Sequence, residues 1–286
     1  MRLQHRLEEI RRRGRKALSL FVTAGYPSIR ETVPLVLGLA ESGADVIELG
    51  IPFSDPVADG PTIQHSSEVA LRNGVTLGKT LEFCRRIRAR SDVPLVLMGY
   101  SNPIFAYGLT PFLAHCSEIG VDGTIIADLP PEESEVYVRT AEKMSLAAVF
   151  LAAPTTTPGR LARLDEISTG FLYCVSITGV TGERGGIAGH ALEFLRRARA
   201  TVKKNPLLVG FGISTPEDAS RIARMSDGVV IGSALIKALQ NGSGKPLDRA
   251  RKFTRSLRRA LDSTLVPSGP TGRGAEASRQ PGAGGN

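Results

Sequence analysis

The chain has 286 residues, of which 42% are hydrophobic, and it carries a formal net charge of +8. This length fits two small domains or one α/β barrel, since such barrels commonly run to about 250 residues. No apolar stretch approaches the roughly 18 residues that a membrane span needs, so we expect no membrane association and a cytoplasmic location. The three cysteines form no CxxC pair and the four histidines form no HExxH pattern, so neither a disulfide nor a metal site is expected.

The positive charge lies at the two ends of the chain. Residues 1–16 carry a net charge of +5 and residues 245–286 a net charge of +6, which leaves the part between them at −3. A nucleic-acid groove would place basic residues among the folded elements, whereas charge at the ends is typical of a solvated helix face or a tail. We therefore expect no nucleic-acid partner.

The start of the chain imitates a signal peptide, because RRRGRK precedes the apolar run ALSLFVTAG. However, Leu3, Leu7 and Ile10 recur at helical spacing beside Glu8 and Glu9, and the apolar run is only about eight residues long. The pattern predicts an amphipathic helix that leads into a strand.

Eight apolar, β-branched runs bounded by glycine, proline or aspartate predict eight strands. They cover residues 18–22, 45–50, 94–99, 123–128, 147–154, 171–176, 206–212 and 227–233. Helix-like segments alternate with them, including ETVPLVLGLAES, TLEFCRRIRAR, ESEVYVRTAEK, HALEFLRRARATVKK and TPEDASRIARM. Repeated right-handed strand-to-helix crossovers with such strands close into a parallel (β/α)8 barrel, here with an extra helix at the N-terminus.

A doubly wound open sheet is the main alternative to the barrel. The turn after the first strand, FVTAGYPS, lacks the Rossmann glycine pattern, and no change in composition marks a second domain. We therefore predict a single (β/α)8 TIM barrel over residues 1–264, with a last helix near 247–263. From Ser268 the chain is rich in Gly, Pro, Ser and Arg and cannot bury enough apolar surface to order itself, so residues 265–286 are predicted to be a disordered tail.

A carboxylate interrupts the second predicted strand, VIELG. Val46, Glu48 and Gly50 share one face of that strand, and the carboxyl ends of the strands form the active site of a barrel. A buried ionised carboxylate is costly unless its pKa is shifted or it serves a task, so we interpret Glu48 as functional. The alternative is a structural glutamate that is salt-bridged inside the barrel or turned toward a helix. Asp59 follows in the loop PVADGPTIQ, where it is a second functional carboxylate, part of an Asp-Gly turn, or the N-cap of a helix that begins near Thr62.

Glycine clusters follow the last three predicted strands, with the sequences GVTGERGG, GFGIST and GSALIK. In barrels, the loops after strands seven and eight meet the N-terminus of a short helix, where free backbone N–H groups and the helix dipole favour an anion. GSALIK supplies such a helix start. The sequence therefore predicts a phosphate-bearing ligand, although each glycine alone is also compatible with an ordinary turn.

These motifs, together with ELGIPFSDPVADGPTIQ and YCVSITGVTGERGG, resemble the tryptophan synthase alpha chain family from the N-terminal helix to about residue 264. The resemblance implies a barrel lyase that cleaves indole-3-glycerol phosphate to indole and glyceraldehyde 3-phosphate by a retro-aldol reaction, with no cofactor in this chain. It also implies a pyridoxal-phosphate-dependent beta subunit in an α2β2 heterotetramer. That subunit would face Asp55, Pro56 and Asn102 and receive the indole through a tunnel.

The same resemblance implies roles for individual residues. Glu48 matches the catalytic glutamate, and Asp59 matches the aspartate that contacts the indole. The implied substrate-binding positions are Tyr173 near the reacting carbons, Phe21, Ile63, Tyr100 and Phe211 on the apolar wall, and Thr181, Gly182, Gly212, Gly232 and Ser233 around the phosphate. The loop over residues 179–190 is richer in glycine than is usual for the family.

Three alternatives to this function stay open on the sequence. A free-standing indole-3-glycerol-phosphate lyase would need no partner, and a phosphosugar isomerase on the same barrel would act on a substrate without an indole ring. A catalytically silent barrel would act only by activating another subunit. Glu48 and Asp59 argue against the silent barrel, because a scaffold has no need of a buried acid.

Overall fold

The structure, a computed structural model, describes residues 1–175, 189–210 and 212–264. Eight parallel strands form a closed barrel in their chain order. They are β1 Ala17–Thr23, β2 Val46–Gly50, β3 Leu95–Gly99, β4 Gly123–Ile126, β5 Ala147–Ala152, β6 Leu172–Val175, β7 Leu207–Gly210 and β8 Gly228–Ile231. Because β1 pairs with both β2 and β8, the predicted barrel is confirmed and the open sheet is wrong.

Helices connect the strands around the outside of the barrel. They are α1 Arg2–Arg12, α2 Thr32–Glu41, α3 Pro61–Arg72, α4 Leu77–Arg88, α5 Ser101–Tyr107, α6 Leu109–Glu118, α7 Glu135–Lys143, α8 Pro158–Ile167, α9 Gly189–Thr201, α10 Pro216–Ala223, α11 Ser233–Gln240 and α12 Pro246–Asp262. Two helices each follow β2, β3 and β8. In the described ranges, no helix combines the length and apolar character needed to cross a bilayer. The predicted tail over 265–286 lies outside the described residues.

The barrel interior follows the two-residue period of the strands. Inward-facing residues form one buried apolar cluster, and three side chains of α1 complete it. Leu3, Leu7 and Ile10 of that helix are at most 4% exposed, because they close the end of the barrel at which the strands begin. The predicted amphipathic helix is thereby confirmed, and the opposite end of the barrel is the one left for a ligand.

Local capping fixes where the helices after the ligand-facing loops begin. The segment TPED starts α10 with a capping box, in which Thr215 Oγ1 accepts the N–H of Asp218 at 3.2 Å and Asp218 Oδ2 accepts the N–H of Thr215 at 3.3 Å. Thr157 caps α8 by a single bond, in which its Oγ1 accepts the N–H of Arg160 at 3.4 Å. Proline at the first helical position of both helices presets the backbone for the helix.

Polar side chains at the starts of the even-numbered strands bind the odd-numbered strands before them. Each accepts a backbone N–H group at the start of the neighbouring strand, so the same contact recurs four times around the barrel. The pairs are Leu18 to Asp45 at 2.9 Å, Leu95 to Asp122 at 2.9 Å, Leu207 to Asp227 at 2.8 Å and Ala148 to Thr169 at 2.8 Å. We call Asp45, Asp122 and Asp227 the amino-end aspartates.

Five arginines, three of them near the ends of the chain, neutralise the amino-end aspartates. The ion pairs are Arg6 and Arg258 with Asp45 at 2.7 and 2.9 Å, Arg2 and Arg88 with Asp122 at 3.0 and 2.7 Å, and Arg199 with Asp227 at 2.8 Å. Arg258 also donates to the carbonyl oxygen of Lys16 at 3.0 Å. Part of the basic charge at the two ends of the sequence therefore joins α1 and α12 to the base of the barrel.

Candidate active site

The carboxyl ends of β1, β2 and β6 bring three of the predicted site residues to one region inside the barrel. Glu48 lies on β2 and is the backbone partner of Phe21 on β1. Tyr173 lies across the barrel on β6 and shares the interior face with Phe171, whose ring centroid is 6.3 Å from its own. Burial, and next the negative charges of Glu48 and Asp59, raise the pKa of Tyr173 well above its ordinary value, which places both carboxylates near its hydroxyl group.

Glu48 is fully buried and carries no ion pair among the described residues. Its Oε1 accepts a hydrogen bond from Ser19 Oγ at 2.7 Å, and its Oε2 has no partner there. Burial raises the pKa of Glu48 to about 7, although the Ser19 hydroxyl partly opposes the shift. Among the described residues no cation pairs with Glu48, which disfavours the alternative of a salt-bridged structural glutamate, and the group can exchange a proton near neutral pH.

Asp59 lies in the loop after β2, one residue before Gly60, which is the N-cap of α3. Its carboxylate does not cap that helix, so the N-cap alternative is wrong. Instead, Asp59 Oδ2 accepts a hydrogen bond from the Tyr100 hydroxyl at 2.9 Å. Burial raises the pKa of Asp59, and the bond from Tyr100 partly lowers it.

The resemblance implied an apolar wall position for Tyr100, but its hydroxyl group also makes polar contacts. Its hydroxyl oxygen accepts the N–H of Ala58 at 3.1 Å while it donates to Asp59, and its ring stacks on Phe53 with centroids 5.4 Å apart. These contacts fix the loop that carries Asp59. Because Tyr100 directly precedes α5, whose Ser101 N–H donates to Asp128 at 2.7 Å, the tyrosine is itself held at the start of that helix.

Two glycines leave room for the ring side chains of the interior. A Cβ on Gly210 of β7 would lie 2.7 Å from the Tyr173 hydroxyl oxygen, and one on Gly50 would lie 2.5 Å from Cζ of Phe21. Both distances are shorter than van der Waals contact, so any larger residue would displace the ring. The rings of Tyr173 and Phe21 therefore occupy space that is free because the neighbouring strands have glycine at positions 210 and 50.

Phe21 and Ile63 come together beside the start of α11. A Cβ on Gly232 would meet Phe21 Cβ at 3.3 Å and Ile63 Cδ1 at 3.6 Å. Both side chains are at most 8% exposed. The predicted apolar wall and the predicted phosphate positions are therefore adjacent on this side of the barrel.

The predicted phosphate positions are described in part. Gly232 is the N-cap of α11 and makes no side-chain cap, and Ser233 opens the helix with an exposed side chain. Gly212 has a φ of +47°, a conformation that favours glycine, and its carbonyl oxygen accepts a hydrogen bond from Ser214 Oγ at 3.2 Å. The remaining predicted positions, Phe211, Thr181 and Gly182, lie outside the described residues, as does most of the loop 179–190.

Sequence reasoning missed Ser19 and the hydroxyl contact of Tyr100. The signal for Ser19 is a single hydroxyl in the apolar run ALSLFV, on the same two-residue period as Phe21. Tyr100 carries no comparable signal, because its contact with Asp59 depends on two loops that are 41 residues apart. In the described part of the chain, no three His, Cys, Asp or Glu side chains are grouped so that they could hold a metal ion.

Comparisons with known proteins agree with this geometry. The family model described as tryptophan synthase alpha chain matches residues 7–263. The chain belongs to the tryptophan synthase alpha chain family. It is 47% identical to the tryptophan synthase alpha chain of Geobacter sulfurreducens over 254 residues, which cover 88% of this chain and 96% of that one. It is 46% identical to that of Pelobacter propionicus over 261 residues, which cover 91% and 97% of the two chains.

Solved structures of the family share the barrel. A crystal structure of tryptophan synthase subunit alpha from Legionella pneumophila is 38% identical and superposes with a TM-score of 0.81, covering 92% of this chain and 98% of that chain. A structure of Mycobacterium tuberculosis tryptophan synthase is also 38% identical, with a TM-score of 0.83 and coverage of 91% and 98%. The tryptophan synthase alpha chains are lyases, and the chain is a member of this enzyme family.

Proposed function

We propose that the chain cleaves indole-3-glycerol phosphate to indole and glyceraldehyde 3-phosphate, without a cofactor of its own. The observation that carries this proposal is Glu48, a fully buried carboxyl with a pKa of about 7 and one oxygen that has no hydrogen-bond partner among the described residues. Family membership supplies the substrate class. The apolar wall of Phe21 and Ile63, adjacent to the free start of α11, supports a ligand that is apolar at one end and anionic at the other.

Glu48 has the acid and base roles in the proposed reaction. The protonated carboxyl donates to the indole ring carbon that bears the glycerol side chain, and the resulting carboxylate accepts the proton of the adjacent hydroxyl group. The bond between the ring and the side chain then breaks, its electron pair returns to the ring, and the hydroxyl carbon becomes the aldehyde. A single group serves both steps because its pKa lies near neutral pH.

Asp59 stabilises the charge that develops on the ring. Protonation of the ring carbon makes the indole nitrogen electron-poor, and a carboxylate that accepts the indole N–H opposes that charge. Such a contribution is worth about 3 kcal/mol in a site that excludes water. The bond from Tyr100 fixes the Asp59 carboxylate before the substrate binds, so little of the gain is lost to reorganisation.

The phosphate group anchors the substrate at a distance from the bond that breaks. Gly212, Gly232 and Ser233 offer backbone N–H groups at the start of α11 and in the loop after β7. Binding energy from this end of the ligand fixes its pose at Glu48. The dephosphorylated substrate should therefore bind poorly, and a bulky residue at Gly212 or Gly232 should raise KM strongly.

The decisive experiment measures whether the purified chain releases indole from indole-3-glycerol phosphate. Glu48→Gln is the matched inactive variant, and a phosphosugar without an indole ring is the control substrate. Turnover of the phosphosugar would favour the isomerase alternative. No indole release by the chain, either alone or with a beta subunit, would refute the lyase and leave the silent barrel.

We also propose a tryptophan synthase beta subunit, which holds pyridoxal phosphate, as the partner in a cytoplasmic α2β2 heterotetramer. The rim beside the mouth of the barrel supports it: Asp55 and Asn102 are exposed, and Val57 and Phe105 are apolar side chains exposed by 83% and 48%. Pro56, predicted to be part of an exposed rim, is instead buried, and its carbonyl oxygen accepts the N–H of Asp59 at 3.0 Å.

Addition of beta subunit from the same source tests this partner. Docking at the rim would order the loops over the substrate, so we expect the cleavage rate to rise at least about tenfold. Sedimentation of the mixture measures the complex and its stoichiometry. A rate that does not change, with no complex, would favour the free-standing lyase.

A further inference from the structure

Ser19 lies inside the barrel beneath Glu48. Its Oγ donates to Glu48 Oε1 at 2.7 Å, and both side chains are fully buried. Backbone pairing places Ser19 beside Val46 of β2 and Val230 of β8, so the hydroxyl group has apolar neighbours on both sides. A hydroxyl buried in such surroundings is costly unless it is hydrogen-bonded, and Glu48 is the partner that the structure provides.

This contact makes the two oxygens of Glu48 different. Oε1 is held by Ser19, which is level with Val46 and therefore approaches from the amino end of the barrel. Oε2 has no hydrogen-bond partner among the residues that the structure describes. The carbonyl oxygen of a protonated carboxyl is a better acceptor than its hydroxyl oxygen, so the serine O–H on Oε1 favours the proton on Oε2.

We propose that Ser19 is a positioning residue that fixes the carboxyl group of Glu48, so that Oε2 alone exchanges the proton with the substrate. The inference rests on the proposed lyase function. Ser19 does not touch the substrate and acts only through Glu48. Its hydrogen bond also favours the charged form of Glu48 and so lowers the pKa of that group against the effect of burial.

The first test needs no substrate. Glutamate labelled with carbon-13 at the side-chain carboxyl is titrated by NMR, and the Glu48 signal is assigned by its loss in Glu48→Gln. We expect Ser19→Ala to raise the pKa of Glu48. The matched control is Ser226→Ala, because Ser226 is equally buried but donates to the carbonyl oxygens of Ile222 and Gly228, at the amino end of the barrel.

Two other titratable groups belong to the same site, namely Tyr173 on β6 and Asp59 in the loop after β2, and the negative charges of Glu48 and Asp59 both act on Tyr173. The pKa of Tyr173 lies well above the range of the titration, so it stays neutral. Repeating the titration in an Asp59→Asn background removes the other carboxyl. A Glu48 pKa in Ser19→Ala equal to that of the unaltered protein would overturn the proposal, whether or not the chain proves to be a lyase.

The second test is kinetic. Ser19→Ala should lower kcat for indole release about tenfold near pH 6, because an unfixed carboxyl is misplaced for much of the time. The alkaline limb of the pH profile should move to higher pH, while KM changes by less than about twofold. Ser19→Thr keeps the hydroxyl and should restore the limb. An unmoved limb in Ser19→Ala would contradict the proposal, whereas inactivity of the unaltered protein would instead refute the lyase function.

Discussion

Asp45 and Glu48 are three residues apart in the chain, and both are buried carboxylates, yet they have opposite surroundings. Asp45, at the amino end of β2, accepts a backbone N–H group and pairs with two arginines. Glu48, near the carboxyl end of the same strand, accepts one serine hydroxyl, and its other oxygen has no hydrogen-bond partner in the part of the chain that the structure describes. At the base of the barrel the buried carboxylate is paired with cations, which stabilises the fold. At the mouth Glu48 has no such pairing among the described residues, which leaves its carboxyl group free to react.

The largest expected effect is at the mouth. Glu48→Gln keeps the size of the side chain but cannot exchange a proton, so kcat for indole release should fall by about three orders of magnitude or more. Glu48→Asp, which withdraws the acid by one methylene, should also be nearly inactive. Steady-state kinetics measure both, with circular dichroism to check the fold. More than about a tenth of the unaltered kcat in Glu48→Gln would make Glu48 structural.

The corresponding change at the base should affect stability and not chemistry. Asp45→Ala removes the ion-pair partner that Arg6 and Arg258 share, although Arg6 keeps Glu9 and Arg258 keeps Asp262. It also leaves the buried N–H of Leu18 without its acceptor, so it should cost about 1–3 kcal/mol of unfolding free energy. The kcat of the folded protein should stay within about twofold. Urea denaturation measures the loss, and Glu41→Ala is the control, because the Glu41 pair with Arg251 is exposed. A loss below about 1 kcal/mol in Asp45→Ala would show that the ion pairs of Asp45 with Arg6 and Arg258 do not stabilise the fold.

Asp59→Asn should cause a smaller loss of activity than Glu48→Gln. The amide oxygen can still accept the indole N–H and the Tyr100 hydroxyl, but the negative charge is gone, so we expect kcat to fall about a hundredfold. Tyr100→Phe, which keeps the charge but removes its fixed donor, should lower kcat less. If Asp59→Asn retained full kcat, the charge at this position would have no part in the reaction.

The pKa of Glu48 also predicts how stability depends on pH. The folded protein holds the pKa at about 7, against 4.5 for an ordinary glutamate, so the folded state binds the proton more tightly. Stability is therefore lost as pH rises from about 4.5 through 7. Glu48→Gln removes this loss. The difference in unfolding free energy between Glu48→Gln and the unaltered protein should therefore be on the order of 2–3 kcal/mol more in favour of the variant at pH 8 than at pH 4. Thermal melts at both values measure the difference, and a gain independent of pH would contradict the raised pKa.

The smallest effect is expected beyond the last helix. Truncation at Ser268 removes the Gly-, Pro-, Ser- and Arg-rich segment that composition predicts to be disordered, which carries no large apolar residue for a core. Melting temperature and lyase activity should stay nearly unchanged. A decrease of several degrees in the melting temperature would show that the segment packs on the barrel.

The sequence predicts much of this structure because the barrel repeats a local pattern. Each strand is a short apolar run bounded by glycine, proline or aspartate, so all eight were identifiable. The observed strands are shorter than most of the predicted runs. Glu48 was identifiable for the related reason that a charge inside such a run is costly. The partners of Glu48 and Asp59 were not, because Ser19 and Tyr100 are 29 and 41 residues away and only the closed barrel brings them into contact.

The bond between Asp45 and Arg258 joins residues that are 213 positions apart, and this separation has a consequence for synthesis on the ribosome. β1 emerges early, but its second neighbour, β8, and the arginine that locks the base follow more than 200 residues later. At a synthesis rate of roughly 5–20 residues per second, β8 follows β1 after on the order of ten to forty seconds, and one edge of β1 is unpaired until then. During that interval the nascent sheet has two open edges, so the growing chain is most prone to pair with other chains just before it is complete.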